Sequence, residues 1–217
     1  TIPKSLDSKY FKVKGGVLTD ITSAGQSYLA GQGRNGVLVL PSSITRIDNG
    51  VFTQRFQNFK AIYAEGVTEV SGFAFNETGS LNFAHLPKLK KLGEAVFTDN
   101  ASLTAVNFPL LEEIGDVCFT GGANFSGNGL KITYVSIPAA KKIGSGAFHG
   151  NYKHSGVTFI LGAQPEVNTK AYEDYPQEGF VAFGQLKSPV LYVTPEHLKT
   201  YTLTDGKWHG FTVQELK

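Results

Sequence analysis

Gly31-Gln32-Gly33-Arg34-Asn35-Gly36 matches G-x-G-x-x-G, the pattern that lets a backbone approach a pyrophosphate where a strand turns into a helix. That chemistry needs a helix after the motif. Here Val37-Leu38-Val39-Leu40 follows, which reads as a strand, so the glycines are expected to form a flexible loop and no nucleotide is predicted. The single thiol, Cys118, stands where equivalent segments carry Ala74, Val96 and Ala147, directly before a recurring aromatic. A reactive thiol needs exposure and a cationic neighbour, so Cys118 is expected to be a small buried group instead.

The five histidines, His85, His149, His154, His197 and His209, lack the spacings that hold zinc, although His149 and His154 can converge in a loop. Glu112-Glu113 and Glu173-Asp174 are adjacent pairs, whereas carboxylates that cleave a glycosidic bond must face each other across several ångströms. No G-x-S-x-G elbow occurs, which leaves only a triad assembled from distant positions. No metal, cofactor or catalytic group is therefore read from the sequence. Asn76-Glu77-Thr78, Asn100-Ala101-Ser102 and Asn124-Phe125-Ser126 are glycosylation sequons, relevant only in a host that modifies them.

Composition narrows the class further. The chain has 217 residues, 20 Lys plus Arg against 18 Asp plus Glu, and 41% apolar residues. A chain of this length buries about 70% of its unfolded surface in one core and needs no disulfide. The net charge of +2 makes nucleic acid an unexpected partner, and no apolar run reaches the length of a membrane span. A chain that opens on Thr1 and lacks Met is expected to have lost its initiator by processing or by design.

The elements that position these residues repeat. An apolar residue is followed five positions later by an aromatic at Ile47 and Phe52, Val70 and Phe75, Leu92 and Phe97, Ile114 and Phe119, Ile143 and Phe148, and Val167 and Tyr172. Successive anchors lie 23, 22, 22, 29 and 24 residues apart. Gly93, Gly115 and Gly144 follow their anchors, which suits a positive φ or tight packing. Upstream, Val37 to Pro41, Leu86-Pro87, Val106 to Pro109 and Val135 to Pro138 read as strands ended by proline, which has no N–H for a ladder. A unit of about 23 residues cannot bury its own apolar face, and stacking joins those faces into one core. The expected row of stacked rings is Phe52, Phe75, Phe97, Phe119, Phe148 and Tyr172.

The patterns L-x-x-V-x-F-P-x-L-x-x-I-G-x-x-x-F from Leu103 to Phe119 and I-x-x-V-x-I-P-x-A-x-x-I-G-x-x-A-F from Ile132 to Phe148 resemble the BspA-like leucine-rich repeat. The resemblance spans roughly residues 37 to 175, and the stretch from Tyr192 to Phe211 resembles the closing segment of such proteins. Where the family often has Cys three residues after the Phe, this chain has Arg55, Thr78, Asn100, Gly122 and Asn151, and the second unit lacks the proline. The expected fold is a β-rich leucine-rich-repeat solenoid, a right-handed superhelix of about six coils with short helical turns. It forms a single domain with an N-terminal cap at 1–36, repeats at 37–186 and a C-terminal cap at 187–217. Phe11, Val13, Val17, Leu18 and Ile21 are expected to cover the first coil. At the other end, Thr194 and Pro195 are expected to start a short helix with Leu198 and Tyr201 on its buried face. The resemblance further implies a bacterial cell-surface or secreted protein with a role in adhesion.

Stacking places equivalent residues in columns. The column before the anchor reads Arg46, Glu69, Lys91, Glu113, Lys142, Glu166, alternating in sign, and is expected to be a ladder of ion pairs between coils. On the outward strand face, Tyr63, Phe83, His85 and Tyr134 are the candidate ligand-binding residues, because exposed rings bury much area at little entropic cost. Phe125, in the Gly/Asn-rich insertion from Gly121 to Gly129, is a further candidate. The same rings can instead pack on one another. The functional expectation is a non-catalytic module, monomeric, that binds protein or glycan, including host extracellular partners. A spacer domain without a ligand of its own is the alternative, and a polysaccharide hydrolase a remote one.

Overall fold

The computed structural model describes residues 1–53, 59–121, 131–150, 156–174 and 181–217. Each coil of the solenoid contributes two strands to two different parallel sheets. The first strands are β3 (Gly36–Val39), β5 (Phe59–Tyr63), β7 (Phe83–His85), β9 (Ala105–Asn107), β11 (Tyr134–Ser136) and β13 (Thr158–Ile160). They form two groups, β3-β5-β7 and a six-stranded sheet that starts β9-β11-β13. The second strands hold two residues each: β4 (Arg46–Ile47), β6 (Glu69–Val70), β8 (Lys91–Leu92), β10 (Glu113–Ile114), β12 (Lys142–Ile143) and β14 (Glu166–Val167). They pair in chain order, Ile47 on Val70 on Leu92 on Ile114 on Ile143 on Val167. The anchors of the sequence pattern are thus a sheet of their own.

Proline acts where the ladder must stop. Phe108 and Ile137 still donate their N–H to Ser136 and Ile160 of the next coil at 3.0 Å, and the prolines that follow, Pro109 and Pro138, cannot. Val106 and Phe108, like Val135 and Ile137, are buried on the inner face, as a period of two requires.

Inside, the rings of Phe52, Phe75, Phe97, Phe119 and Phe148 stack with centroids 5.1 to 5.5 Å apart and planes within 14°. That spacing is close to the distance between neighbouring strands. The sixth ring is Phe183, not Tyr172. Phe183 lies 5.9 Å from Phe148 at 7°, and Phe148 N–H donates to Ala182 just as Phe119 N–H donates to Ala147. Both Tyr172 and Phe183 follow an alanine, but a phenol hydroxyl carried into the buried row would need an acceptor there, since burying it unpaired is costly. Tyr172 instead rests against Ala95 and Val117, and its hydroxyl donates to Glu94 and lies 3.1 Å from an Asp174 carboxylate oxygen. Burial, and then the Glu94 carboxylate, push its pKa up.

Among the described residues of the coils, the segments after the narrow strands are hydrogen-bonded turns rather than the expected helical ones. Three residues past the anchor, Phe73, Ala95 and Val117 have φ of 59°, 53° and 47°, which breaks a right-handed run. The glycines after the anchors have no positive φ. They are there for closeness: a Cβ on Gly115 would meet backbone atoms of Gly93 at 2.4 Å.

The caps extend the same sheets. β2 (Val17–Ile21) pairs in parallel with β4 and antiparallel with β1 (Phe11–Lys14). Phe11, Leu18 and Ile21 are buried, whereas Val13 faces out at 44% exposure. The glycine run expected to be a flexible loop begins at the end of a helix: α1 (Ser23–Gly31) is capped by Thr22, whose Oγ1 accepts from Gly25 N–H at 3.1 Å. Gly25 allows the helix to press on the chain, since a Cβ there would lie 2.3 Å from the Tyr10 carbonyl oxygen. At the C-terminus β15 (Val190–Val193), β17 (Phe211–Glu215) and β16 (Lys207–Trp208) prolong the broad sheet. Helix α2 (Pro195–Leu198) leaves Leu198 exposed, while Tyr201 is buried and donates to the Gly162 carbonyl at 2.9 Å. Trp208 and Phe211 close the core.

Candidate functional site

The outward face of β5 and β7 gathers three of the candidate residues. Register places Ala61 beside Phe83 and Tyr63 beside His85. Tyr63 lies 5.5 Å from both Phe83 and His85, and the rings of Phe83 and His85 are nearly parallel with centroids 6.4 Å apart. The rings pack on one another, yet Phe83 keeps 46% of its surface exposed. His85 Nε2 lies 2.6 Å from Oε1 of Glu65, both half-exposed. Sequence reasoning missed Glu65. It occupies the position held by Pro41 and Pro87 in neighbouring units, so the missing proline of the second unit was its signal.

Tyr134 stands apart from this cluster. It sits on β11 at 37% exposure, with Ala105 of β9 beside it in register. Among the described residues no ring contact joins it to the other three. Phe125 lies outside the described residues. The combination at β5 and β7 is an apolar platform with a polar rim, suited to holding a surface against it.

On the narrow sheet the charge column is in the register that its alternation implies, Arg46 by Glu69, Glu69 by Lys91, Lys91 by Glu113, Glu113 by Lys142 and Lys142 by Glu166. Among the described residues the ion pairs in this column are Arg46 with Glu69 at 3.9 Å and Lys91 with Glu113 at 3.5 Å. Their side chains are 41 to 54% exposed, so each contributes at most about 1 kcal/mol. A parallel pair one residue earlier, Lys141 with Glu112 at 2.6 Å, holds the Glu112 carboxyl below its ordinary pKa.

The remaining candidates for chemistry are structural. Cys118 is fully buried between coils, and burial pushes its thiol up to about 12. His149 is buried beside Gly184, and burial holds its pKa below the ordinary histidine value. His154 lies outside the described residues, and among those described no three His, Cys, Asp or Glu converge on a metal-sized site. Thr78 and Asn100, at the position where the resemblance leads one to expect Cys, are buried. Thr78 donates to Asn100 Oδ1 at 2.6 Å, and Asn100 Nδ2 donates to the Phe75 carbonyl at 2.8 Å. That bonding occupies one sequon asparagine inside the fold. The G-x-G-x-x-G run follows a helix and precedes a strand, the reverse of the order that cradles a pyrophosphate.

The BspA type leucine rich repeat region matches residues 34–155 in six copies, which is more than half of the chain. The chain belongs to the BspA-type leucine-rich repeat family. Comparison with curated proteins finds no match. Among solved structures, a leucine-rich repeat protein from Bacteroides ovatus is similar at 19% identity with a TM-score of 0.42. The match covers 71% of this chain and 42% of that one, so this BspA-type chain spans less than half the length of that protein. No described helix is long and apolar enough to cross a membrane.

Proposed function

We propose that this BspA-type chain is a non-catalytic binding module whose partner, a protein or a glycan, docks on the outward face of β5 and β7. The observation that carries this reading is the ring cluster of Tyr63, Phe83 and His85, with Phe83 still 46% exposed on a sheet face otherwise free to be polar. Rings already held against one another lose little entropy when a partner covers them, so most of their burial appears as affinity. The Glu65 and His85 pair at the rim supplies direction through hydrogen bonds. Tyr134, on β11 of the neighbouring sheet, is a further exposed ring apart from this cluster. A place on the cell surface or in the secreted fraction, with a role in adhesion, fits such a face and the family to which the chain belongs.

The test replaces Tyr63, Phe83 and Tyr134 by Ser and measures adhesion to extracellular-matrix proteins and glycan arrays alongside thermal unfolding. Adhesion is expected to fall at least about tenfold, the loss of one to two contacts worth about 1–2 kcal/mol each. The fold should persist, since surface substitutions usually change stability little. Unchanged adhesion sinks the proposed face. Unfolding of the variant assigns the rings to packing and leaves the chain a spacer.

A further inference from the structure

The two sheets end at different heights. The broad sheet runs on from β13 through β15, β17 and β16, whereas the narrow one stops at β14. Along the narrow sheet each coil offers two carbonyls to the amides of the next. Glu112 and Ile114 accept from Lys141 and Gly144 at 2.8 Å, and Lys141 and Ile143 accept from Glu166 and Asn168 at 2.8 and 2.9 Å. The corresponding carbonyls of the sixth coil are those of Pro165 and Val167, and among the described residues no amide reaches them.

Beside this margin the C-terminal cap leaves room. A recess of about 280 Å³ is bounded by Val167, Val181, Phe183 and His209, with apolar groups dominating its wall. A wider one of about 790 Å³ lies beside Gln164, between Thr202 and Trp208, and His209 borders both. The charge column ends here as well. Its signs alternate up to Glu166, which is exposed, so the next place in the column calls for a cation.

We infer that the free margin of β14 takes an extended peptide of a partner protein as one more parallel strand, the eighth parallel one of that sheet counting β2. A basic residue of that peptide faces Glu166, an aliphatic one lies by Val167, and a small one follows. The backbone acceptors supply the hydrogen bonds and the recess takes the aliphatic side chain, the usual division of labour when a strand is added to a sheet edge. The small residue takes the position that Gly93, Gly115 and Gly144 hold in the inner coils, where successive coils come too close for a Cβ, and here it lies beside Asn168.

The probe is a synthetic octapeptide with the sequence of residues 139–146, Ala-Ala-Lys-Lys-Ile-Gly-Ser-Gly, which sits on Glu113 in the same way within the fold. Titrated into the full chain and followed by amide chemical shifts, it is expected to perturb Glu166, Asn168 and Thr169 and to spare Tyr63 and Phe83. Glu166→Lys should weaken it by about fivefold. A peptide with both lysines changed to glutamate should prefer the Glu166→Lys protein, and N-methylation of the glycine amide after isoleucine should abolish binding to either. Shifts centred elsewhere, equal affinity for both peptides, or tolerance of the N-methyl group overturn the inference. So does sedimentation that shows two copies paired through this margin and unaffected by the peptide.

Discussion

Phe183 and Tyr172 each follow an alanine, and only one ring can complete the row begun by Phe52. The hydroxyl decides between them. Phe183 is buried against Phe148, Phe159, Phe211 and Trp208, while Tyr172 directs its oxygen to Glu94 and Asp174. Phe183→Ala is therefore expected to cost about 3–5 kcal/mol in urea unfolding. Tyr172→Phe removes one partly exposed hydrogen bond and should cost about 1 kcal/mol. Equal costs for the two would mean that Tyr172 shares the row. The constant spacing of five made Tyr172 the natural reading, and a spacing rule contains nothing about where a hydroxyl finds an acceptor. His85 was legible as a surface ring, but its partner Glu65 was hidden in the one unit that departs from the proline pattern.

The strands of a coil are short, two residues in the narrow sheet, so each is stable only through its neighbours above and below. Close stacking is the condition for those bonds, and the glycines after the anchors supply it. Gly115→Ala would drive a Cβ against the Gly93 backbone at 2.4 Å, which must part β8 from β10. The expected cost is about 1–3 kcal/mol, measured by thermal unfolding, against little change for Gly79→Ala, whose added Cβ meets nothing within 4 Å. A Gly115→Ala variant as stable as the parent would show that the coils can separate without loss. The sequence offered two reasons for these glycines, positive φ or close approach. The second applies, and the positive φ falls two residues after them, at Ala95, Val117 and Gly146.

At the scale of the molecule, a stack of coils leaves its last rings bare unless something closes it. Phe159 and Phe183 rest on Phe211 and Trp208 at 5.0 to 5.5 Å. A chain ending at residue 186 loses those contacts and the strands β15 and β17. It is expected to elute as aggregate in size-exclusion chromatography, where the whole chain elutes as one discrete species. A well-behaved shortened chain would show that the six coils carry their own stability.

The solenoid, the period of its coils, five of its six rings, the prolines that end its strands and the order of its charge column could all be read from the order of residues. Each is a repeated local rule, and a rule repeated at fixed intervals survives without knowledge of distant contacts. Which ring fills the sixth place, which of the outward aromatics meet, and how the broad sheet outruns the narrow one were settled only in three dimensions. Those outcomes depend on hydrogen-bond partners, on the bulk of facing side chains and on how a non-repeating cap folds back, and none of these recurs along the chain.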